Sequence, residues 1–129
     1  EQVWPKTLVH ELGHYLGLFH VFSGGDNGQT TDYCEDTPDY DRPAYESWLK
    51  SVFSLTFAQA AQRKDRNGTT FTSYNIMDYQ YGYRNRITPD QRARIRHVLD
   101  YSPLIPGPKI AVENTSRAAI IIEEPLIIK

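Results

Sequence analysis

Cysteine is scarce in this sequence, with Cys34 the single one among 129 residues. A lone cysteine cannot form a disulfide within the chain, so cysteine usage does not report the redox compartment. Long apolar runs are missing as well, since no stretch reaches the roughly 18 apolar residues that a membrane helix needs. No signal peptide opens the chain. These absences exclude an internal disulfide scaffold and predict no transmembrane segment.

An excess of charge of either sign is also missing, because 14 Lys and Arg stand against 16 Asp and Glu for a net charge of −2. Such a balance creates no basic field for a polyanion, so we expect no nucleic-acid partner. Apolar residues make up 40% and charged residues 23% of the chain. That composition is typical of a globular protein, and the length suits one domain with its own core.

The most informative stretch runs from His10 to His20 and reads H-E-L-G-H-Y-L-G-L-F-H. His10 and His14 stand four residues apart, so both imidazoles project from one face of a helix and can reach one Zn²⁺ at roughly 2.0–2.1 Å. Glu11 adjoins the first ligand, where its carboxylate can reach a water on the metal rather than the metal itself. The spacing therefore predicts two metal ligands and a general base.

The end of the same stretch predicts a turn and a third ligand. Gly17 follows His14 by three residues, and a glycine in the left-handed region would end the helix and reverse the chain. That turn would return His20 to the metal. Three neutral imidazoles leave a fourth coordination position open for water, which is typical of catalytic rather than structural zinc sites.

A second stretch, residues 73–79, reads S-Y-N-I-M-D-Y and contains the only methionine of the chain, Met77. A methionine packed in a core is the ordinary expectation, but this one lies in a polar, turn-prone setting. The histidine motif followed by such a methionine resembles the metzincin metallopeptidases. In that clan a Met-turn lies beneath the three zinc histidines as an apolar floor.

Three short blocks narrow the resemblance to the pappalysin branch of that clan, including its secreted bacterial members. The blocks are H-E-L-G-H-Y-L-G-L-F-H-V-F from His10, C-E-D-T-P from Cys34 and N-I-M-D-Y from Asn75. The resemblance spans about residues 4–102. It implies a zinc peptidase that is extracellular or at the cell surface, and of bacterial origin.

The resemblance assigns roles to individual residues. It implies that zinc is bound by three side chains, those of His10, His14 and His20. It further implies that Glu11 is the catalytic base and that Met77 underlies the metal. Tyr79 matches a tyrosine that in several metzincin families hydrogen-bonds or ligates near the zinc and steadies the tetrahedral intermediate. An ordinary packing role is the alternative for Tyr79, because the chain has nine tyrosines.

The resemblance also implies an α+β metzincin-like catalytic domain. Residues 1–103 would form its active-site helix and its helical, loop-rich lower subdomain, and residues 104–129 a linker with short C-terminal strands. The upper sheet subdomain of a metzincin is missing from the sequence, so we expect the N-terminal part of the same precursor as a partner. Relatives often pair a cysteine near the position of Cys34, which here would be free or paired with a segment outside the sequence.

Residues 23–43 have loop composition, rich in Gly, Asp, Asn and Thr. Their oxygen ligands would suit a Ca²⁺ ion, although the spacing of an EF-hand is absent, so a solvated acidic loop is the alternative. The acidic residues concerned are Asp26, Asp32, Glu35, Asp36, Asp39 and Asp41. Calcium is therefore a candidate second ion.

Residues 44–64 carry apolar side chains at helical spacing and predict one helix. Its stripe includes Trp48 and Phe53, for which packing is a better expectation than ligand binding. The pair N-G at residues 67–68 predicts a turn after this helix.

The segments that follow residue 79 predict a loop and a helix. Residues 80–86 follow the Met-turn, which would place Tyr81, Tyr83 and Arg84 near the pocket for the side chain that follows the scissile bond. An arginine there could favour acidic substrates. A loop that simply faces solvent is the alternative. The run T-P-D-Q that follows is typical of a helix start, with Thr88 as N-cap and Gln91 completing a capping box, and the helix should stop near Asp100.

Together these features predict a zinc-dependent endopeptidase that acts on protein or peptide substrates. Zinc would lower the pKa of its water toward about 7 and polarise the scissile carbonyl, and Glu11 would carry the proton to the leaving amine. Two alternatives stay open: a non-catalytic zinc-containing binding or adhesion module, and a fragment that is inactive without its N-terminal half. The intact Glu11 argues against the first, because an inactive relative can lose the base without losing the metal.

Overall fold

The computed structural model describes residues 3–24 and 28–111, and within these ranges the elements are four helices and four shorter strands. In chain order they are α1 (Val3–Tyr15), β1 (Phe22–Ser23), β2 (Tyr40–Asp41), α2 (Arg42–Ser51), α3 (Phe57–Ala60), β3 (Gln62–Lys64), β4 (Thr70–Thr72) and α4 (Pro89–Tyr101). The chain divides into two compact units, Glu1–Arg96 and His97–Lys129. No helix among the described residues has the length and apolar character needed to cross a membrane.

Helix α1 ends as the sequence predicts. Gly17 adopts a φ of 96°, in the left-handed region that glycine enters without steric cost. The amide of Leu18 donates to the carbonyl of Gly13 at 2.9 Å, and the amide of Gly17 donates to the carbonyl of His14 at 3.0 Å. These two bonds form a Schellman motif, which satisfies the last carbonyls of the helix and turns the chain back.

The single helix predicted over residues 44–64 is wrong. Helix α2 ends at Ser51, and Val52 is extended at φ −100° and ψ 135°. Thr56 then starts the separate helix α3, where its hydroxyl accepts from the amide of Gln59 in a capping box. The packing predicted for Phe53 from the apolar spacing is also wrong, because its side chain is fully exposed. The capping box at Thr56 therefore starts a new helix, although apolar residues recur at helical spacing through the whole range.

Strands β3 and β4 form an antiparallel hairpin in which Arg63 pairs with Phe71. The Asp65 carboxylate accepts from the amides of Asn67 and Thr69, both at 2.9 Å. Gly68 in the same turn has a φ of 83°. The predicted turn at residues 67–68 is confirmed, but it joins two strands rather than closing a long helix.

The apolar core of the first unit consists of two clusters of buried side chains. One contains Leu18, Val21, Ile76 and Met77, with Ile95 of α4 packed against it. The other contains Phe22, Tyr40 and Tyr45, with Leu49, Phe71 and Tyr79 against it. Strands β1 and β2 pair in parallel through Phe22 and Tyr40, which places the residues after the histidine motif between the two clusters.

Helix α4 starts at the predicted cap. The amide of Gln91 donates to the Thr88 hydroxyl at 3.2 Å, and the amide of Thr88 donates to the Gln91 side chain at 2.9 Å. The helix runs one residue past the predicted end, to Tyr101. The C-terminal strands predicted within residues 104–129 fall largely at positions 112–129, outside the described residues, and the domain boundary at residue 103 stays a prediction.

Candidate metal centre

The three histidines of the motif converge on one point. One ligand atom from each of His10, His14 and His20 lies within 4.8 Å of the others. The Nε2 atoms of His14 and His20 are 3.1 Å apart. Two nitrogens that share a tetrahedral Zn²⁺ at about 2.0–2.1 Å stand roughly 3.3 Å apart, so this spacing fits a zinc ion.

Backbone carbonyls fix the ring orientation of two of these histidines. The Nδ1 of His10 lies 2.7 Å from the carbonyl oxygen of Ile76, and the Nδ1 of His14 lies 2.9 Å from the carbonyl oxygen of Leu18. A carbonyl oxygen can only accept, so each Nδ1 must carry the proton. The Nε2 atoms are then left as lone-pair donors, which is the tautomer that a metal ligand requires.

Burial lowers the pKa of two of the histidines, His10 and His20. The pKa of His20 is lowered to about 4, mainly by burial and also by the neighbouring His14 and His10. Burial is also the main cause that lowers the pKa of His10, although its bond to the Ile76 carbonyl opposes the shift. Because a protonated imidazole cannot ligate a metal, the depressed pKa values favour metal binding near neutral pH.

Met77 packs against the helix that carries two of the three histidines. Its side chain is completely buried, and its sulfur would stand 2.5 Å from a Cβ placed on Gly13. Gly13 lies on α1 between the two helical ligands, so the absence of a side chain there lets the sulfur approach the helix. Met77 therefore packs against α1 at Gly13, the residue before His14, and its role beneath the metal stays a prediction.

Tyr79 lies beside the histidines. Its ring centroid is 4.7 Å from that of His20 in an edge arrangement and 6.1 Å from that of His10. Glu11 is exposed on α1, one residue after the first ligand. The structure thus brings the three histidines and Tyr79 together. Glu11 lies on the same helix as the first two histidines and Met77 packs against that helix, and the chemical roles of the predicted site residues stay predictions.

A buried carboxylate next to Met77 lies outside the group of three histidines, and the sequence did not reveal it. Asp78 is 1% exposed, and it accepts hydrogen bonds from the hydroxyls of Tyr40 and Ser73. It also accepts from the amide of Tyr79 at 2.7 Å. These bonds fix the backbone on both sides of the turn that carries Met77.

Two arginines balance the charge of Asp78. An Nη of Arg42 lies 3.8 Å from one of its carboxylate oxygens, and Nε of Arg63 lies 3.4 Å from the other. A fully buried carboxylate is costly without such partners. The partners of Asp78 are distant in the chain, so no residue spacing in the sequence predicts that this carboxylate is buried and paired. Only the tertiary structure identifies it.

The acidic loop gives no support to a calcium site. Four of its carboxylates have other partners: Asp32 accepts from Thr37 and Cys34, Asp36 from the amide of Asp90, Asp39 from Arg66, and Asp41 from the amide of Ala44. Asp26 lies outside the described residues. Among the His, Cys, Asp and Glu side chains of the described ranges, the group with metal-binding geometry is that of His10, His14 and His20.

The loop after the Met-turn is anchored to α1. The ammonium of Lys6 donates to the carbonyl of Tyr83 at 2.7 Å, and the Tyr83 ring stacks on Tyr74 with 5.3 Å between centroids. Tyr81 and Arg84 both have positive φ angles, 67° and 54°. The preference of Arg84 for acidic substrates stays a prediction.

Two other sequence features lie apart from the histidines. Cys34 is a free, buried thiol, and burial together with the charge of Asp32 raises its pKa to about 11. A cavity of about 620 Å³ lies between α2 and the β3–β4 hairpin, lined among others by Tyr45, Trp48 and Lys64. The ring centroids of Trp48 and Tyr45 are 5.9 Å apart, and the Trp48 side chain is 42% exposed. This cavity does not include any of the three histidines.

Comparison with known proteins gives a family match over most of the chain. The family model described as Pregnancy-associated plasma protein-A, a peptidase family, matches residues 2–100. An extracellular metalloprotease of Arthroderma benhamiae is 33% identical over 91 residues, which cover 70% of this chain and 30% of that protein. A second one from the same fungus is 44% identical over 94 residues, covering 70% of this chain and 28% of that protein.

A shorter match has higher identity. An extracellular metalloprotease of Pyricularia oryzae is 61% identical over 33 residues, which cover 26% of this chain and 11% of that protein. The chain spans 30% of the length of the first curated relatives it matches. No solved structure matches the chain. These relatives are fungal, so they give no support to the bacterial origin expected from the sequence.

Proposed function

This chain belongs to the peptidase family described as Pregnancy-associated plasma protein-A, and from that premise we propose that it carries the metal centre of a zinc-dependent endopeptidase. The observation that supports this most is the convergence of three imidazoles, two of them with Nδ1 bound to backbone carbonyls. The substrate class would be proteins or peptides. The relatives are named extracellular metalloproteases, so we place the protein outside the cell.

The residues of this chain divide the chemistry among them. His10, His14 and His20 would hold the zinc ion, which when bound supplies an activated water and Lewis-acid polarisation of the scissile carbonyl. Glu11 takes a proton from the attacking water and returns it to the leaving amine, which an exposed carboxylate next to the first ligand can reach. The Tyr79 hydroxyl, on a ring adjacent to His20, donates a hydrogen bond to the developing oxyanion.

Zinc content and chelator-sensitive cleavage test this proposal together. We would measure zinc per chain by elemental analysis, and hydrolysis of a denatured protein substrate with and without 1,10-phenanthroline. One zinc per chain, with cleavage that stops on chelation and returns with added zinc, is the expected result. Zinc without any cleavage would indicate a binding module instead, and a chain that takes up no zinc would overturn the metal site itself.

A further inference from the structure

We propose that Arg42 is a positioning residue for the third metal ligand, His20, and that it acts through the rings of Phe22 and Tyr79. This inference rests on the proposed zinc site. It adds a residue that the histidine motif does not contain, at a place 22 residues further along the chain.

His20 is held differently from the other two ligands. His10 and His14 are each oriented by an Nδ1 hydrogen bond to a backbone carbonyl. Among the described residues, the His20 ring is instead held between aromatic rings. Phe22 stacks on it with 4.7 Å between centroids and 13° between planes, and Tyr79 meets it edge-on, also at 4.7 Å. The orientation of His20 therefore depends on where these two rings lie.

The guanidinium of Arg42 lies over both of those rings. Its central carbon is 5.3 Å from the centroid of Tyr79 and 5.8 Å from that of Phe22. Each distance is within the range at which an arginine cation is attracted to the face of an aromatic ring. One cation thus contacts the two rings that enclose the third ligand.

Polar contacts fix the position of this cation. Arg42 is 4% exposed; its Nε donates to the Glu46 carboxylate at 2.8 Å and an Nη donates to the Tyr40 hydroxyl at 3.0 Å. Asp78 lies 3.8 Å from the same Nη. A planar guanidinium held at several points is pre-organised, so little conformational freedom remains to the rings packed on it.

The positioning role is separable from the balance of buried charge. Arg63 also pairs with Asp78, at 3.4 Å, but its guanidinium lies over Tyr40 and Tyr45. The two arginines therefore share the carboxylate, whereas Arg42 is the one that contacts the rings beside His20. Replacing Arg63 provides a matched control that removes a charge from the same carboxylate.

The test is zinc affinity, measured by competition with a chromophoric chelator on the folded protein. We expect Arg42→Met to weaken zinc binding about 10–100-fold, the range for residues that orient a metal ligand. We expect Arg63→Met to leave zinc affinity within about threefold of the unmodified protein. The Co²⁺-substituted protein gives a second readout, since its visible spectrum should change for Arg42→Met and not for Arg63→Met.

A conservative variant covers the case in which Arg42→Met does not fold. Arg42→Lys keeps the charge near Asp78 but loses the planar group over the rings, so zinc affinity should fall by a smaller factor, between the unmodified protein and Arg42→Met. Unchanged zinc affinity in Arg42→Lys, or a loss in Arg63→Met equal to that in the Arg42 variants, would overturn the inference. Failure of the unmodified chain to bind zinc would instead overturn the proposed function, so the two failures are distinguishable.

Discussion

The side chains of the metal centre differ in how the fold holds them. The imidazoles of His10 and His14 are fixed by carbonyls, and that of His20 by aromatic rings. Glu11, in contrast, is exposed on the same helix. A ligand must stay in one place, whereas a base must remain accessible to water and to the leaving group. Metal binding and proton transfer should therefore respond to different substitutions.

Replacing Glu11 by Gln should separate these two functions. The amide cannot accept a proton, so peptide hydrolysis should fall by about 10²–10⁴-fold, the usual contribution of a general base. Zinc content should stay at one per chain because Glu11 is not a ligand. Glu35→Gln, an exposed residue of the same type, is the control and should keep full activity. Unchanged turnover in Glu11→Gln would remove Glu11 from the mechanism.

Cys34 should be unreactive while the protein is folded. Its pKa is raised from 9.0 to about 11 by burial and by Asp32, so the thiolate fraction at pH 8 is about 100-fold lower than in the unfolded chain. Modification by a disulfide reagent should be slower by at least that factor, and should accelerate about tenfold per pH unit between pH 8 and 10. Equal rates in native and urea-unfolded protein would contradict this.

At the scale of elements, helix α1 meets the Met-turn through a contact that leaves no space for a side chain. Gly13→Ala would place a Cβ 2.5 Å from the Met77 sulfur, and overpacking of this kind costs about 1–3 kcal/mol. The higher helix propensity of alanine offsets about 1 kcal/mol of this loss in stability. We therefore expect a net loss of about 1 kcal/mol in the free energy of unfolding, measured with urea.

The same substitution should reverse its sign when the methionine is shortened. In a Met77→Ala background the sulfur is absent, so Gly13→Ala should stabilise the protein by about 1 kcal/mol through helix propensity alone. This double-mutant cycle isolates the contact between the two residues. An identical effect of Gly13→Ala in both backgrounds would show that the sulfur does not limit the helix.

Helix α4 is coupled to the Met-turn through its cap. The Gln91 side chain exchanges two hydrogen bonds with the side chain of Asn75, at 2.8 and 3.1 Å, and Asn75 accepts from the amide of Met77. Thr88→Ala should cost about 1 kcal/mol, as for other lost caps. Gln91→Ala should cost about 2–3 kcal/mol, because it also removes both hydrogen bonds to the half-buried side chain of Asn75.

Urea unfolding measures both of these losses. Gln80→Ala, an exposed glutamine in the loop after the Met-turn, is the matched control and should change stability by less than about 0.5 kcal/mol. A loss for Gln91→Ala no larger than that for Thr88→Ala would mean that the bonds to Asn75 contribute nothing beyond the cap.

At the scale of the whole molecule, metal binding should stabilise the fold. The ligands come from α1 and from the chain after the Gly17 turn, so an ion that binds them favours the folded state over the unfolded state. Free zinc at 100 times its Kd should add about 2.7 kcal/mol, and Tm should rise with zinc and fall with a chelator. His20→Ala should remove this response, whereas His97→Ala should keep it. A zinc-independent Tm would contradict a resident ion.

The sequence predicted the features that depend on neighbours a few residues apart. The turn at Gly17 and the cap at Thr88 were both predicted correctly, because helix termini are determined by residues within one turn of the chain. The helix over residues 44–64 was wrong for the converse reason. Apolar residues recur at helical spacing throughout that range, but the Thr56 capping box starts a separate helix inside it. Spacing alone does not determine whether a side chain such as that of Phe53 is buried.

The sequence by itself thus predicted the candidate ligand set, since the spacing of His10, His14 and His20 is a local property of one helix and its terminal turn. Only the tertiary structure decided how the ligands are held. The carbonyl that accepts from His10 belongs to Ile76, 66 residues away, and Tyr40 reaches Asp78 across 38 residues. Contacts between distant segments form only when elements pack, because burial of charge and close approach of side chains depend on the whole core rather than on local backbone preference.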